Sequence, residues 1–396
     1  MTPTDTKQQV TPAADRAKRL SRLIELDPEN VSLILEAFDE AVAARAWDLA
    51  TNCLERARAV GADRHVWLLR QSSLLLAQGD FQATVDLLVT LLGDHQSPIE
   101  FRRAASLNVA RAMFHLGEHD KARAVLLEGY DVLDFAEMPA QCLWVRTNHR
   151  LGDLPNLVRW GRALQAAGNL RPEVAGLLSL VALDCDDLTL AKEWSKVAEA
   201  ADDAPISMET LTTLASVALA DRNVKAALAW SEKAIERNPG EGRVWSIRAF
   251  AHLLAQDAAA AQSDFTRAIQ LQPEHLGTWH GLGWLYLSQG DARSAEAVFH
   301  RAIEQDRNFA ESHGGLAVAL AAQGQRDEAV RAVSIARGLD PGCLSAHYAD
   351  ALIAGRLTSR EALTAWVREV LGDDVHSQRR LAAGWMQGHG AGPQDM

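Results

Sequence analysis

One stretch of the sequence, residues 276–309, decides the fold: LGTWHGLGWLYLSQGDARSAEAVFHRAIEQDRNF. Large apolar and small side chains stand in it at fixed spacings: Trp279, Leu282, Gly283 and Tyr286, then Ala295, Phe299 and Ala302. Spacings of three and four residues place side chains on one face of an α-helix, so the stretch predicts two successive helices. The same spacing recurs about every 34 residues along almost the whole chain. A period of this length predicts one helical array and not several globular domains.

The order W-x2-L-G-x2-Y, followed by A-x3-F, resembles the signature of the tetratricopeptide repeat. The resemblance implies an all-α fold, a right-handed superhelical α-solenoid of about nine helix pairs with capping helices at its ends. In this family the first helix of each repeat lines a concave groove, into which positions 2, 5, 9, 12 and 13 point. We therefore read candidate binding residues at those positions.

Counting outward from residues 276–309 predicts nine full repeats and shorter flanking segments. The predicted repeats are 31–64, 65–102, 103–137, 138–171, 172–207, 208–241, 242–275, 276–309 and 310–343. The predicted flanks are a disordered tail at 1–11, an orphan capping helix at 12–30, a degenerate repeat and C-terminal cap at 344–371, and a mostly flexible tail at 372–396. Small residues are expected where the two helices of a repeat cross, and proline where the second helix ends.

Composition narrows the classes of partner and the compartment. The formal net charge is -12, which opposes approach to nucleic acid and to anionic lipid. The chain carries four cysteines without a Cys-x-x-Cys pair, a polar start and no long apolar run. These features predict a cytoplasmic protein with no nucleic-acid partner and no membrane insertion.

The repeats starting at 103 and 138 carry a first candidate surface, the basic zone. It consists of cationic and polar residues at or beside groove positions: Asn108, Arg111, His115, Arg146, His149 and Arg150. Arginine holds carboxylates through paired hydrogen bonds, so an acidic segment is the predicted partner. The family's clamp for chaperone tails uses Lys and Asn in three successive repeats, and this chain lacks that set. The alternative is a solvated face paired with neighbouring acidic residues.

The repeats starting at 242, 276 and 310 carry a second candidate surface, the apolar zone. It consists of apolar and aromatic residues and one histidine: Phe250, Leu253, His280, Trp284, Leu287 and Val318. A stripe of this kind suits an amphipathic helix or an extended peptide, and Trp284 is its expected anchor. The alternative is that curvature of the array buries these side chains between adjacent repeats.

Several other residues are predicted to be structural. Trp160, Trp194 and Trp230 share one repeat position and are expected to wedge between neighbouring repeats. His313 and His347 stand where the family prefers tryptophan, and we expect core or groove residues there.

None of the sequence patterns predicts a catalytic site. The sequence from His115 to His119 matches H-x-x-E-H, but Gly117 lies at the turn between two helices, so the histidines are expected to diverge. Phosphate-binding loops, nucleophile elbows and dinucleotide fingerprints are absent from the sequence. We therefore expect no catalytic residues, no metal and no cofactor.

Two classes of function fit these features. The first is a non-enzymatic scaffold or adaptor whose groove binds a peptide or protein, with assembly or chaperone work in bacterial envelope or secretion biogenesis as its setting. The alternative is a substrate-positioning or regulatory subunit of an enzyme complex, such as a glycosyltransferase or protease. Repeats are predicted to fill residues 12–371, so the first class is preferred.

Overall fold

The protein is described by a computed structural model that covers residues 12–94, 96–130, 137–201, 206–357, 362 and 365–366. Within those residues the regular structure is helical, with no strand. The α-helices are α1 Pro12–Leu26, α2 Val31–Ala43, α3 Trp47–Ala59, α4 Arg64–Gln78, α5 Phe81–Leu88, α6 Ile99–His115, α7 His119–Gly129, α8 Met138–Arg150, α9 Leu154–Ala166, α10 Pro172–Asp184, α11 Leu188–Glu199, α12 Met208–Ala220, α13 Val224–Arg237, α14 Gly242–Leu254, α15 Ala258–Leu271, α16 Leu276–Ser288, α17 Ala292–Gln305, α18 Ala310–Ala322, α19 Arg326–Leu339 and α20 Leu344–Ile353. The predicted all-α fold is confirmed. The predicted tails at 1–11 and 372–396, and most of the predicted cap beyond 357, lie outside the described residues.

The chain divides into two compact units, residues 1–181 and 182–396, called unit 1 and unit 2 below. In unit 1, helix α1 packs on α2 through buried Ala17, Leu20 and Ile24. The helices that follow pack in consecutive pairs, α2 with α3, α4 with α5, α6 with α7 and α8 with α9. The predicted repeat boundaries stay a proposal; α6 begins at Ile99 and not at 103.

Unit 2 shows the same arrangement in its regular half. The pairs are α12 with α13, α14 with α15, α16 with α17 and α18 with α19, and α20 packs on both α18 and α19. The first helices of successive pairs also contact one another, from α12 to α20. This succession puts side chains of neighbouring first helices next to each other, which is where a binding surface can form.

The turn inside each pair needs a left-handed backbone. Glycines supply it at five of these turns, with φ between +74° and +82°: Gly79, Gly117, Gly152, Gly290 and Gly324. Four residues with side chains adopt the same conformation at the equivalent place: Arg45, Asp186, Arg222 and Gln256. Non-glycine residues rarely adopt this conformation, so its recurrence shows that the helix pairing dictates the turn.

Small residues let the helices of a pair approach closely. Ala261, Ala295 and Ala329 are fully buried, in agreement with their predicted place at the helix crossings. Gly283 is equally constrained, because an added Cβ would lie 2.6 Å from Cζ of Phe299. The ring of Phe299 on α17 thus fits only against a small partner on α16.

A recurrent hydrogen bond explains the histidines at the tryptophan position. The indole Nε1 of Trp245 donates to the carbonyl of Pro239 at 2.9 Å, and that of Trp279 donates to Pro273 at 2.7 Å. Nε2 of His313 lies 2.9 Å from the carbonyl of Arg307, and that of His347 lies 3.1 Å from Pro341. All four bonds reach back six residues, so a histidine protonated at Nε2 replaces the indole N–H.

The three tryptophans at the shared position differ in burial. Trp194 is fully buried, whereas Trp160 and Trp230 are half-buried. Trp230 on α13 packs against residues of both α12 and α14. It therefore wedges between its own helix pair and the next, as predicted.

Candidate binding surfaces

The basic zone lies on α6 and α8, which contact each other within unit 1. Arg111 of α6 is half-buried, and burial together with the charge of Arg146 on α8 lowers its pKa. Other arginines of unit 1 have acidic partners, as Arg70 has in Asp39 at 3.0 Å. Among the residues that the structure describes, Arg111 forms no hydrogen bond and no ion pair. The alternative of a face paired with neighbouring acidic residues thus finds no support at Arg111 among the described residues.

Tyr130, which was not predicted from the sequence, lies near enough to Arg111 that each affects the pKa of the other. Tyr130, just after α7, is buried, and its hydroxyl donates to the carbonyl of Arg103 at 3.4 Å. Burial and Glu137 raise the pKa of Tyr130 to about 12, against the opposing effect of Arg103 and Arg111. The phenol therefore stays neutral and leaves the positive charge around it in place.

The other predicted members of the basic zone have mixed surroundings. The amide of Asn108 donates to Ser72 Oγ at 2.9 Å and so joins α6 to α4. The exposed His115 stacks on Phe81, with ring centroids 4.6 Å apart, and burial and the charge of Arg111 lower its pKa. Arg146, His149 and Arg150 follow one another in the last turns of α8, where Arg146 and Arg150 are exposed and His149 is half-buried.

The H-x-x-E-H sequence falls across a helix break, as predicted. His115 ends α6 and His119 begins α7, with Gly117 between them at φ +80°. Within the described ranges, no three His, Cys, Asp or Glu side chains are grouped so that they could hold a metal ion.

Two residues of the predicted apolar zone are buried, and their assignment to an open groove is wrong. His280 is 2% exposed; its Nε2 lies 2.9 Å from Ser312 Oγ, and its ring packs edge-on against Phe299 and Phe309. Val318 is 3% exposed inside the same core. For His280 the cause is the packing of α18 against α16, which closes the space that position 5 would otherwise face.

The four remaining members of the apolar zone are half-buried: Phe250, Leu253, Trp284 and Leu287. The ring of Phe250 meets Phe265 edge-on at 5.0 Å, and that of Trp284 meets Phe299 edge-on at 6.3 Å. Part of the stripe therefore belongs to the core, in line with the alternative raised from the sequence.

Two further aromatic residues extend the apolar zone in unit 2. The ring of Trp284 lies 6.1 Å from that of Tyr348, and Tyr348 lies 5.4 Å from Trp366. Gly314 on the intervening helix allows this approach, because a Cβ there would lie 2.6 Å from Ser345 Cβ. Tyr348 holds groove position 5 of the repeat that the sequence analysis treated as degenerate, which is why it was missed.

Family models of the tetratricopeptide repeat match residues 69–131, 252–313 and 286–354. These stretches consist of tetratricopeptide repeats, as the resemblance predicted. The matched stretches include Arg111 of the basic zone and all the half-buried residues of the apolar zone except Phe250. No curated protein matches the chain.

Solved repeat structures resemble parts of the protein at low identity. MamA is 21% identical over 43% of this chain and 92% of its own, with a TM-score of 0.36. PilF of Pseudomonas aeruginosa is 17% identical over 53% and 96%, with a TM-score of 0.41. YrrB, described as a tetratricopeptide-repeat protein with an unusual peptide-binding site, is 18% identical over 44% and 92%, with a TM-score of 0.33.

Across the described part of the chain, no helix combines the length and the apolar character that crossing a bilayer requires.

Proposed function

We propose that this protein is a non-enzymatic scaffold or adaptor that binds an acidic segment of a protein partner at the basic zone. The observation that carries the proposal is Arg111, a half-buried guanidinium near the cation Arg146, for which the described residues supply no carboxylate in hydrogen-bonding contact. A charge withdrawn from water is unfavourable unless it is paired. A carboxylate from a partner would supply the missing pair through the planar fork of the guanidinium.

The charge distribution supports a local interaction and not long-range attraction. The whole chain carries a formal charge of -12, so an acidic partner gains little from the overall field. Binding must then come from direct hydrogen bonds at Arg111 and Arg146, with added salt weakening it. We also propose an assembly or chaperone role in bacterial envelope or secretion biogenesis, which rests on the habits of the family, and the cytoplasm as compartment, which rests on the composition.

Reversing two charges in the basic zone tests the proposal. We expect the double variant Arg111→Glu and Arg146→Glu to bind a fluorescein-labelled glutamate-rich peptide at least about tenfold more weakly than the wild type, because each charged hydrogen bond contributes about 1.5–3 kcal/mol. Fluorescence anisotropy at low and high salt measures the change.

The matched control reverses two exposed arginines of unit 2, Arg301→Glu with Arg331→Glu. It imposes the same change of net charge away from the basic zone and should leave the affinity unchanged. Binding that resists salt and survives in the basic-zone variant would refute the proposal.

The apolar zone is proposed as a second surface of the same scaffold, for an amphipathic segment. Its support is the half-buried aromatic group formed by Trp284, Tyr348 and Trp366.

We expect Trp284→Ala to weaken binding of a labelled amphipathic peptide of leucine and glutamine at least about tenfold, since truncation of a central tryptophan removes about 2 kcal/mol or more. Trp245→Ala, which removes a ring that lies over Arg248, is the control. Equal loss in both variants would argue against a specific role for Trp284.

A further inference from the structure

The aromatic group of the apolar zone includes a residue from the part of the chain that follows α20. The ring of Trp366 lies 5.4 Å from that of Tyr348, which lies 6.1 Å from that of Trp284. All three rings are half-buried, and Leu254, at the end of α14 beside the zone, is 38% exposed. The chain beyond α20 therefore passes next to the residues proposed to bind an amphipathic segment.

The sequence that follows Trp366 contains a segment of the kind that the apolar zone is proposed to bind. Leu381, Trp385 and Met386 are spaced by four and five residues, which places them on one face of a helix. Between residues 375 and 394 the charged side chains are two arginines, at 379 and 380, with no Asp or Glu. The whole chain has a formal net charge of -12, so the sign of the charge favours contact between this segment and the rest of the protein.

The connection to this segment is short. About 15 residues separate Trp366 from Leu381, and a flexible chain of that length spans roughly 20 Å on average. The ring of Trp284 is reached from Trp366 through two ring contacts of 5.4 and 6.1 Å, which lies well inside that span. A segment on such a tether has an effective concentration of about 1 mM. Even a dissociation constant of about 0.1 mM would then keep it bound in about nine molecules of ten.

We propose that residues 375–394 bind the apolar zone of the same molecule and compete there with the amphipathic segment of a partner. Trp385 is the anchor, against the rings of Trp284 and Tyr348. The inference rests on the proposed function of the apolar zone and adds its regulation. A partner must displace the segment, so its apparent affinity falls in proportion to the fraction of molecules in which the zone is open. The same segment of a second copy is less effective, because it competes at its free concentration and not at the effective concentration of the tether.

The test measures how tightly full-length proteins bind a fluorescein-labelled peptide with the sequence of residues 375–394. We expect the double variant Leu381→Ala with Trp385→Ala to bind this peptide about tenfold more tightly than the wild type, because the tethered competitor is lost. The control variant Gln387→Ala with His389→Ala changes two polar residues of the same segment and should bind like the wild type. Fluorescence anisotropy gives the three affinities.

Two further measurements locate the contact. Adding Trp284→Ala to the double variant should weaken binding of the peptide about tenfold, since the peptide would lose its partner ring in the apolar zone. A peptide that carries alanine in place of Leu381 and Trp385 should bind none of the proteins. The leucine and glutamine peptide should bind the double variant about tenfold more tightly than the wild type.

Each other outcome contradicts the inference in a distinguishable way. If both labelled peptides bind the wild type and the double variant equally, the segment does not occupy the zone, while binding that depends on Trp284 would still support the proposed function. If neither peptide binds any form of the protein, both proposals are wrong. If sedimentation shows a dimer in the wild type and a monomer in the double variant, the segment binds a second copy and the intramolecular contact is wrong.

Discussion

Gly315→Ala is expected to lower the free energy of unfolding of unit 2 by about 3 kcal/mol, the upper range for overpacking a core. A Cβ at Gly315 would lie 2.3 Å from Cε1 of Phe299, far inside van der Waals contact. The ring cannot swing away, because it is fully buried and already lies against Gly283 and His280. Urea unfolding of the full chain, followed by circular dichroism, measures the loss.

A second substitution should recover part of the stability lost in Gly315→Ala. Phe299→Leu shortens the side chain that the new methyl group strikes, so the double variant should lose less than the sum of the two single variants. Gly338→Ala is the control, because Gly338 lies in α19 with no atom near its added Cβ. It should gain up to about 1 kcal/mol from helix propensity. Additive losses at 299 and 315 would contradict the packing described here.

The same fit of a large ring to a small residue occurs at the junction before. Phe265 on α15 lies where a Cβ on Gly281 of α16 would come within 2.5 Å. At the following junction the equivalent residues are Val333 and Ala349, both buried in one core. A smaller side chain on the second helix is thus matched by a larger one on the next first helix. This complementarity fixes which repeats can be neighbours, a property that the repeat consensus alone does not contain.

Most of the fold could be predicted because the 34-residue period arises from contacts inside each helix pair. The spacing of Trp279, Leu282 and Tyr286 follows from their place on one face of a helix, and it recurs whatever the neighbouring repeats contain. The left-handed residues Arg222 and Gln256 could not be recognised from their type, because the helix pairing imposes that conformation on them.

The candidate surfaces were harder to predict because they depend on pairs of repeats. Arg111 and Arg146 were selected from their repeat position, and the structure adds that Arg111 has no acidic partner among the described residues. Tyr130 and Arg103 were missed, since neither holds a groove position. His280 was assigned to the groove from its position within one repeat. Its burial depends on Ser312 in the next repeat, and a position within one repeat gives no information about that hydrogen bond.

Acidification is expected to destabilise unit 2 through His280. Burial lowers its pKa to about 4, whereas an unfolded histidine titrates near 6.5. Between pH 4 and pH 6.5 the unfolded chain therefore binds a proton at His280 that the folded chain does not bind. The contribution of neutral His280 to stability is complete above pH 6.5 and is lost as the pH falls from 6.5 towards 4. At about 1.4 kcal/mol for each pH unit, the loss between pH 7 and pH 5 is about 2 kcal/mol.

His280→Gln separates this titration from the general effect of acid. Glutamine cannot take up the proton, and its amide can still bond to Ser312 Oγ, so the variant should be less sensitive to pH even if it is less stable at neutral pH. His275, whose pKa burial and Arg243 also lower to about 4, adds a titration in the same direction that the variant retains. Urea unfolding at pH 7 and pH 5 gives the difference in slope between the two proteins. Equal slopes would mean that His280 becomes protonated without loss of structure, and that its bond to Ser312 does not hold α16 to α18.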